Sequence, residues 1–484
     1  MRPSVSAMSK FWLAPAILSL ATAVGCGNGG SLNLLHQMGN YSNASLKGQY
    51  VYQVHGQDFT LGIYREVGLF TADGAGNITG GRDDFAVGGL VSNSITGTYT
   101  IASDGTGFIQ IGPTALGTIT FAVTLASSSK AYLMESDVNT DGAGTAELQD
   151  TTATGAIPSG TFVYRLHEVS NQSPVSEVGA ITISGGAVSG SFDQNNAGSS
   201  SQLTLTGSLN APASLGRGTG SFTDSTNFTT NLVYYIVNSG KVAFLSSNTN
   251  VIESGSAEAQ TGAVGNGIAG SYVFGSRGDL PGITFDGVAT VGQFAASGGS
   301  ISSYMDDSMQ LGVYSNSSLT GTYTATSNGR VAVSLNSGAV QQVFWMVSPS
   351  RAFFLTNDPN KVEDGTADAQ VAPATSPASM QGQFAMVMDG IDLTPEILAR
   401  NGTLQFDGAG KLDLVELVNA SASGTGAQSP GTLTGTYQVS GGRVVGSLNG
   451  SSLNLVLYTI SGSDAYALQV DGGTNTSGVF ELQH

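Results

Sequence analysis

Side chains able to do chemistry are few in this chain. Four histidines occur, His36, His55, His167 and His484, and no two stand at metal-ligand spacing; there is no Cys/His cluster and no His-Glu-x-x-His helix. Neither a metal nor another cofactor is expected. Ser127-Ser128-Ser129-Lys130 has the Ser-x-x-Lys spacing in which a lysine one helical turn away activates a serine. Turn-type residues surround it, however, and related segments read Asn238-Ser239-Gly240-Lys241 and Ser348-Pro349-Ser350-Arg351, so a hairpin is expected. Asp137-Val138-Asn139-Thr140-Asp141-Gly142 opens like a calcium loop, yet the position for a bidentate glutamate is Leu148, with Glu147 one place early. A polar hairpin fits better. Asp83-Asp84 and Asp306-Asp307 could divide acid and base work in glycoside hydrolysis if set about 5–10 Å apart across a cleft. Adjacent in sequence, they read instead as solvated turns. No catalytic residue and no enzyme activity is expected.

One charged series does recur. Acids stand at Glu147, Glu258, Asp368 and Glu481, and bases at Lys130, Lys241 and Arg351, with Asp464 breaking the second series. A cross-strand ion pair is the leading reading, ahead of a ligand contact. The elements that carry them repeat four times. Gly48-Gln49-Tyr50, Gly160-Thr161-Phe162, Gly270-Ser271-Tyr272 and Gly382-Gln383-Phe384 open successive units 112, 110 and 112 residues apart, and each unit closes on the acid followed two residues later by Gln149, Gln260, Gln370 or Gln483. Between these anchors lie Ile95-Thr96-Gly97-Thr98-Tyr99, Leu205-Thr206-Gly207-Ser208-Leu209, Leu319-Thr320-Gly321-Thr322-Tyr323 and Leu433-Thr434-Gly435-Thr436-Tyr437. The units are assigned to residues 44–150, 156–260, 267–370 and 379–484, joined by linkers such as Asp150 to Ala156 and Val371 to Ser379.

Charged residues are only 10% and glycines number 68, while the apolar fraction is 40%. Such a chain folds rather than staying disordered, and its Gly, Ser, Thr and Asn turns between Val, Ile, Phe and Tyr runs predict β-structure. Ile119 to Leu125 alternates as a half-buried strand; Val233-Tyr234-Tyr235-Ile236-Val237 and Val343-Phe344-Trp345-Met346-Val347 read as strands covered on both faces. Asp73-Gly74-Ala75-Gly76, Ser184-Gly185-Gly186, Ser297-Gly298-Gly299 and Asp407-Gly408-Ala409-Gly410 mark one equivalent hairpin. The fold class is all-β: four tandem antiparallel domains of about eight strands, with an up-and-down barrel favoured because closure removes exposed edges and a two-sheet sandwich as the alternative. The Leu-Thr-Gly-Thr-Tyr strands resemble those of avidin- and lipocalin-type meander barrels. The resemblance implies a barrel; avidin-like biotin sites rely on several tryptophans, and only Trp345 lies beyond the leader, so biotin binding is not carried over.

Cys26, the only cysteine, excludes any intramolecular disulfide. It follows Met1-Arg2, Lys10 and an apolar run from Phe11 to Val24 that is too short to span a membrane. Ala23-Val24-Gly25-Cys26 resembles the lipobox of bacterial lipoproteins, with Ala23 where Leu is preferred. That resemblance implies cleavage between Gly25 and Cys26, a leader of residues 1–25, acylation of the Cys26 thiol and a spacer through residue 43 with about 20 Å of reach. The mature chain would then have 459 residues. Gly27, where an Asp favours inner-membrane retention in such proteins, implies an outer-membrane destination. Net charge is −18, which excludes the basic footprint that nucleic acid requires. The expected role is a lipid-anchored envelope protein, non-enzymatic and structural, adhesive or assembly-related, with membrane contact through its lipid and a protein or glycan partner. Binding of a small hydrophobic or carbohydrate ligand in the barrel mouths is the alternative.

Overall fold

A computed structural model of the chain describes residues 40–484 apart from 171–172, 250, 393–396, 421–425, 430 and 449–452. Gly25, Cys26, the leader and His36 lie outside the described residues. Each unit forms a closed barrel of eight antiparallel strands, so the barrel rather than the sandwich is the fold. Barrel I runs from Lys47–Asp58 to Thr140–Leu148, barrel II from Gly160–Ser170 to Val251–Ala259, barrel III from Gly270–Leu280 to Val362–Ala369, and barrel IV from Gln381–Asp392 to Thr474–Leu482. Last and first strands pair at Tyr50↔Leu148, Phe162↔Ala259, Tyr272↔Ala369 and Phe384↔Leu482. The expected hairpins form; Gly185 and Gly186 take φ of 58° and 88°, a left-handed pair that a tight β-turn needs and side chains disfavour.

Alternate residues point into each barrel and fill it. Barrel III is packed by Phe274, Phe294, Tyr304, Phe344 and Phe354, with Phe344 and Phe354 stacked at 4.8 Å. In barrels I and IV the tyrosine of the Thr-Gly-Thr-Tyr strand holds the entering chain across one mouth: Tyr99 Oη donates to the Leu46 carbonyl at 2.8 Å and Tyr437 Oη to the Met380 carbonyl at 3.0 Å.

The outward residues build a second set of cores, between barrels. Strands six to eight of barrel II pack on strands one and two of barrel I, barrel III repeats the contact on barrel II, and barrel IV repeats it on barrel III. Strands six to eight of barrel I (Gly117–Ser127, Lys130–Glu135 and Thr140–Leu148) in turn pack on strands one and two of barrel IV (Gln381–Asp392 and Ile397–Asp407). A head-to-tail contact used four times therefore closes into a ring. This explains why Val233–Val237 is covered on both faces: Tyr234 and Ile236 join the barrel II core, while Val233, Tyr235 and Val237 pack on Val51, Val67 and Leu69 of barrel I. It also corrects the reading of Ile119–Leu125 as wet on one face, because Ala122 and Thr124 are buried against barrel IV.

Three of the four joints carry the same polar clamp. Asp84 receives Arg217 at 2.6 and 2.9 Å and Tyr235 Oη at 2.5 Å; Asp193 receives Arg330 at 2.7 and 2.6 Å and Trp345 Nε1 at 2.9 Å; Asp307 receives Arg443 at 2.7 and 2.8 Å and Tyr458 Oη at 2.6 Å. Asp83-Asp84 and Asp306-Asp307 are thus strand residues, not solvated turns. Alternation sends neighbours to opposite faces, so Asp83 enters the barrel I lumen while Asp84 enters the joint. At the seam between barrels I and IV the equivalent positions are Thr106, Thr124 and Leu417. There, Asn419 Nδ2 donates to the carbonyls of Glu135 at 2.9 Å and Thr140 at 3.0 Å, and Thr124 Oγ1 donates to Asn401 Oδ1 at 2.6 Å. The closing glutamine of each unit also hooks the next barrel: Gln149 Nε2 donates to the Ile236 carbonyl at 2.6 Å, Gln260 to Met346 at 2.8 Å, Gln370 to Thr459 at 2.9 Å, and Gln483 returns to Leu125 of barrel I at 2.7 Å.

Candidate functional site

The barrel cores are packed with side chains, and an open space lies between the barrels. The outward residues of the four first strands face one another there in register: Gln53, Arg165, Gly275 and Val387 in one layer, and His55, His167, Arg277 and Asp389 in the next. The last strands add Glu147, Glu258, Asp368 and Glu481, and the seventh strands add Lys130, Lys241, Arg351 and Asp464. They enclose an axial cavity of about 770 Å³.

The repeated acids and bases meet here, and mainly across barrels. Lys130 and Glu147 are register neighbours within barrel I, but Lys130 Nζ reaches Glu481 of barrel IV at 2.5 Å, while Glu147 receives Lys241 of barrel II at 2.5 Å. Arg351 of barrel III reaches Glu258 of barrel II at 2.8 Å and its own cross-strand partner Asp368 at 2.8 Å. Between barrels III and IV, Asp464 replaces the base, and Tyr466 Oη donates to Asp368 at 2.6 Å instead. Tyr466 needs Gly275 opposite: a Cβ there would lie 2.6 Å from its ring. Each of the four repeated acids meets a donor from the next barrel; the expected cross-strand ion pair within one barrel also forms at Arg351–Asp368, and Lys241 lies 4.0 Å from its register partner Glu258.

The two axial histidines are shifted in opposite directions. His167 lies 2.7 Å from Asp364 and 3.2 Å from Asp279, both of barrel III. Burial opposes its charge, but the hydrogen bonds to Asp279 and Asp364 outweigh it and push the imidazole up to about 9. His55 is lowered to about 4, first by burial and then by the charge of Arg277, with Asp389 opposing. Arg277 can only donate, so its 3.2 Å contact makes His55 Nδ1 an acceptor, and Nε2–H donates to Asp389 at 2.5 Å. Burial likewise opposes the charge of Asp389, yet Arg277 and His55 hold its carboxyl well below the usual range.

No protein family's sequence profile matches this chain, and no curated protein matches it by sequence. Solved structures similar to it include intact Ap-TbpB with its N and C lobes, at 8% identity and a TM-score of 0.20 over 95% of this chain and 98% of that one. Two others are the isotype 1 transferrin binding protein B of serogroup B Neisseria meningitidis, at 11% identity and 0.20 over 73% and 84% of the two chains, and a double mutant of transferrin binding protein B from Haemophilus parasuis Hp5, at 10% identity and 0.18 over 73% and 83%.

The remaining sequence candidates lie apart from the axis or do other work. Ser127 to Lys130 is a hairpin in which Ser127 and Ser129 hydroxyls meet at 3.0 Å. Asp137 Oδ2 accepts the Thr120 amide at 2.8 Å, and Asp141 is buried within a strand, so the calcium-like run is a loop and a strand start. A separate acidic group occupies the barrel I lumen: Glu66 and Asp83 share Tyr52 Oη at 3.2 and 3.1 Å, and Glu135 accepts from Tyr64 Oη. Burial pushes Asp83 up to about 6 and Glu135 up to about 7. The axial histidine layer was not found from sequence, although His55, His167, Arg277 and Asp389 each stand seven residues after the glycine that opens their unit.

Proposed function

We propose that this chain is a lipid-anchored bacterial cell-envelope protein, destined for the outer membrane, whose four barrels act as one rigid non-enzymatic platform for adhesion or assembly with a protein or glycan partner. The leader of residues 1–25 is removed, Cys26 carries the lipid, and residues 26–43 form the tether to the units at 44–150, 156–260, 267–370 and 379–484. The observation that carries the reading is the ring itself. Four units locked head to tail, with the last glutamine hooked on the first barrel, resist relative motion and suit a scaffold. Attachment near the seam is supported by Tyr41 alone, whose Oη donates to the carbonyl of Ala126 at 3.1 Å, in barrel I, and to that of His484 at 3.2 Å, at the end of barrel IV. Filled lumens leave little to support a ligand in the barrel mouths; the axial cavity favours binding elsewhere, between barrels. Mass spectrometry of the mature N-terminus should find a diacylglycerol-modified Cys26, and Cys26→Ser should release the protein from membranes. A Cys26→Ser variant that still partitions wholly with membranes would sink the anchoring claim.

A further inference from the structure

Six of the chain's scarce cations gather around one cavity. The chain has 16 Lys and Arg against 34 Asp and Glu, yet Arg65, Lys130, Arg165, Lys241, Arg277 and Arg351 all line the axial cavity. Seven carboxylates line it too, so formal charge alone decides nothing. What decides is the layering. Lys130, Arg165, Arg277 and Arg351 side chains are 35–37% exposed, whereas the carboxylates they contact, Glu481, Asp364, Asp389, Glu258 and Asp368, are 6–18% exposed. Lys241 and Glu147 are the even pair, at 23% and 24%. For four of the six cations the paired acid is the more buried partner, so their N–H donors are more accessible than the carboxylates that hold them.

Arg165 is the least committed of them. Its nearest carboxylate oxygen is Asp364 Oδ1, 3.4 Å from Nε, and its guanidinium carbon lies 5.6 Å from the centre of the Phe353 ring, which it shares with Arg351 at the same distance. A guanidinium held only by this longer contact can still take a carboxylate or phosphate through two parallel hydrogen bonds. Around it the wall is rich in hydroxyls, among them Thr145, Ser254, Ser256, Thr366 and Ser477. A volume of about 770 Å³ falls within the range of small-molecule sites.

We propose that the axial cavity binds a small hydroxyl-rich oxyanion, a sugar acid or sugar phosphate, with Arg165 gripping the anionic group and the wall hydroxyls meeting the rest. The site exists only in the closed ring, because its donors come from all four barrels. It does not depend on acylation of Cys26. The test is isothermal titration of the whole chain at low salt with 6-phosphogluconate, with inorganic phosphate and glucose as separate arms. Saturable binding of 6-phosphogluconate is expected, inorganic phosphate should bind more weakly and glucose not at all, and Arg165→Ala should weaken binding at least tenfold, with Arg165→Lys between. Equal binding of inorganic phosphate and 6-phosphogluconate would overturn the role of the hydroxyls. Should Arg165→Ala fold poorly, phenylglyoxal modification of the unmutated chain gives an independent reading, since 6-phosphogluconate should slow modification of Arg165 severalfold. Absence of saturable binding at 10 mM ligand, or binding and protection that ignore Arg165, would refute the proposal.

Discussion

Replacing His167 by glutamine tests the axis through its pH dependence. His167 joins barrel II to Asp279 and Asp364 of barrel III, with Ser176 Oγ 3.2 Å and Arg165 3.4 Å from the same network. Its folded pKa of about 9 stands above the ordinary 6.5, so the folded ring binds the proton more tightly than the unfolded chain. That stabilisation is fully present below pH 6.5 and is lost as pH rises through 9. At 1.36 kcal/mol per pH unit it amounts to about 3 kcal/mol at pH 6 and less than about 0.5 kcal/mol at pH 9. His55 runs the other way: with a folded pKa near 4 it costs stability only as pH falls below 6.5, and it is silent between pH 7 and 9. If the ring melts as one unit, about 3 kcal/mol corresponds to roughly 3 °C in Tm. Calorimetry of the unmutated chain and His167→Gln at pH 6 and pH 9 should show the gap between them shrinking by about that amount at the higher pH. A gap that stays constant would refute the charged-histidine account of the barrel II–III joint.

Other perturbations separate lumen from joint. Glu135→Gln should stabilise the chain at pH 8 by up to about 3 kcal/mol and leave it unchanged near pH 4, because burial raises the folded pKa to about 7 and the carboxylate opposes folding once ionised; denaturant titration at both pH values checks this. Asp84→Ala should cost about 3–5 kcal/mol by stranding Arg217 and the Tyr235 hydroxyl in the barrel I–II joint. Thr106→Ala, at the place in the seam equivalent to Arg217, should cost no more than about 1 kcal/mol, the loss of its hydroxyl's 2.7 Å bond to Asp104 Oδ1, and equal losses in the two variants would remove the distinction between clamped joints and seam.

Much of the fold was legible in the sequence because barrels are built from local signals: the recurring glycine–aromatic openings, the paired turn glycines and the strand alternation. The ring was less so. Its trace was present in Val233–Val237 and Val343–Val347, apolar at every position where a lone barrel needs only every second one. Asp84, Asp193 and Asp307 share one strand position, but two of them sit beside lumen-facing acids, and the pair obscured the series. His55 and His167 recur at one offset while the third and fourth units place Arg277 and Asp389 there. Chemical identity changes around an axis whose positions are constant, so matching residue types alone passes over it. The repeated acids were visible, but sequence spacing favours the neighbouring strand, and only the assembled ring brings Glu481 to Lys130 across 351 positions.

The central claim is that the four barrels close into a ring through ion pairs between barrels. Carbodiimide joins an ammonium to a carboxylate only when they touch, and mass spectrometry of the unmutated chain after brief treatment reads which pairs did. Amide links Lys130–Glu481 and Lys241–Glu147 are expected, matching their 2.5 Å contacts. Finding instead only the links within a barrel, Lys130–Glu147 and Lys241–Glu258, would contradict the closed ring.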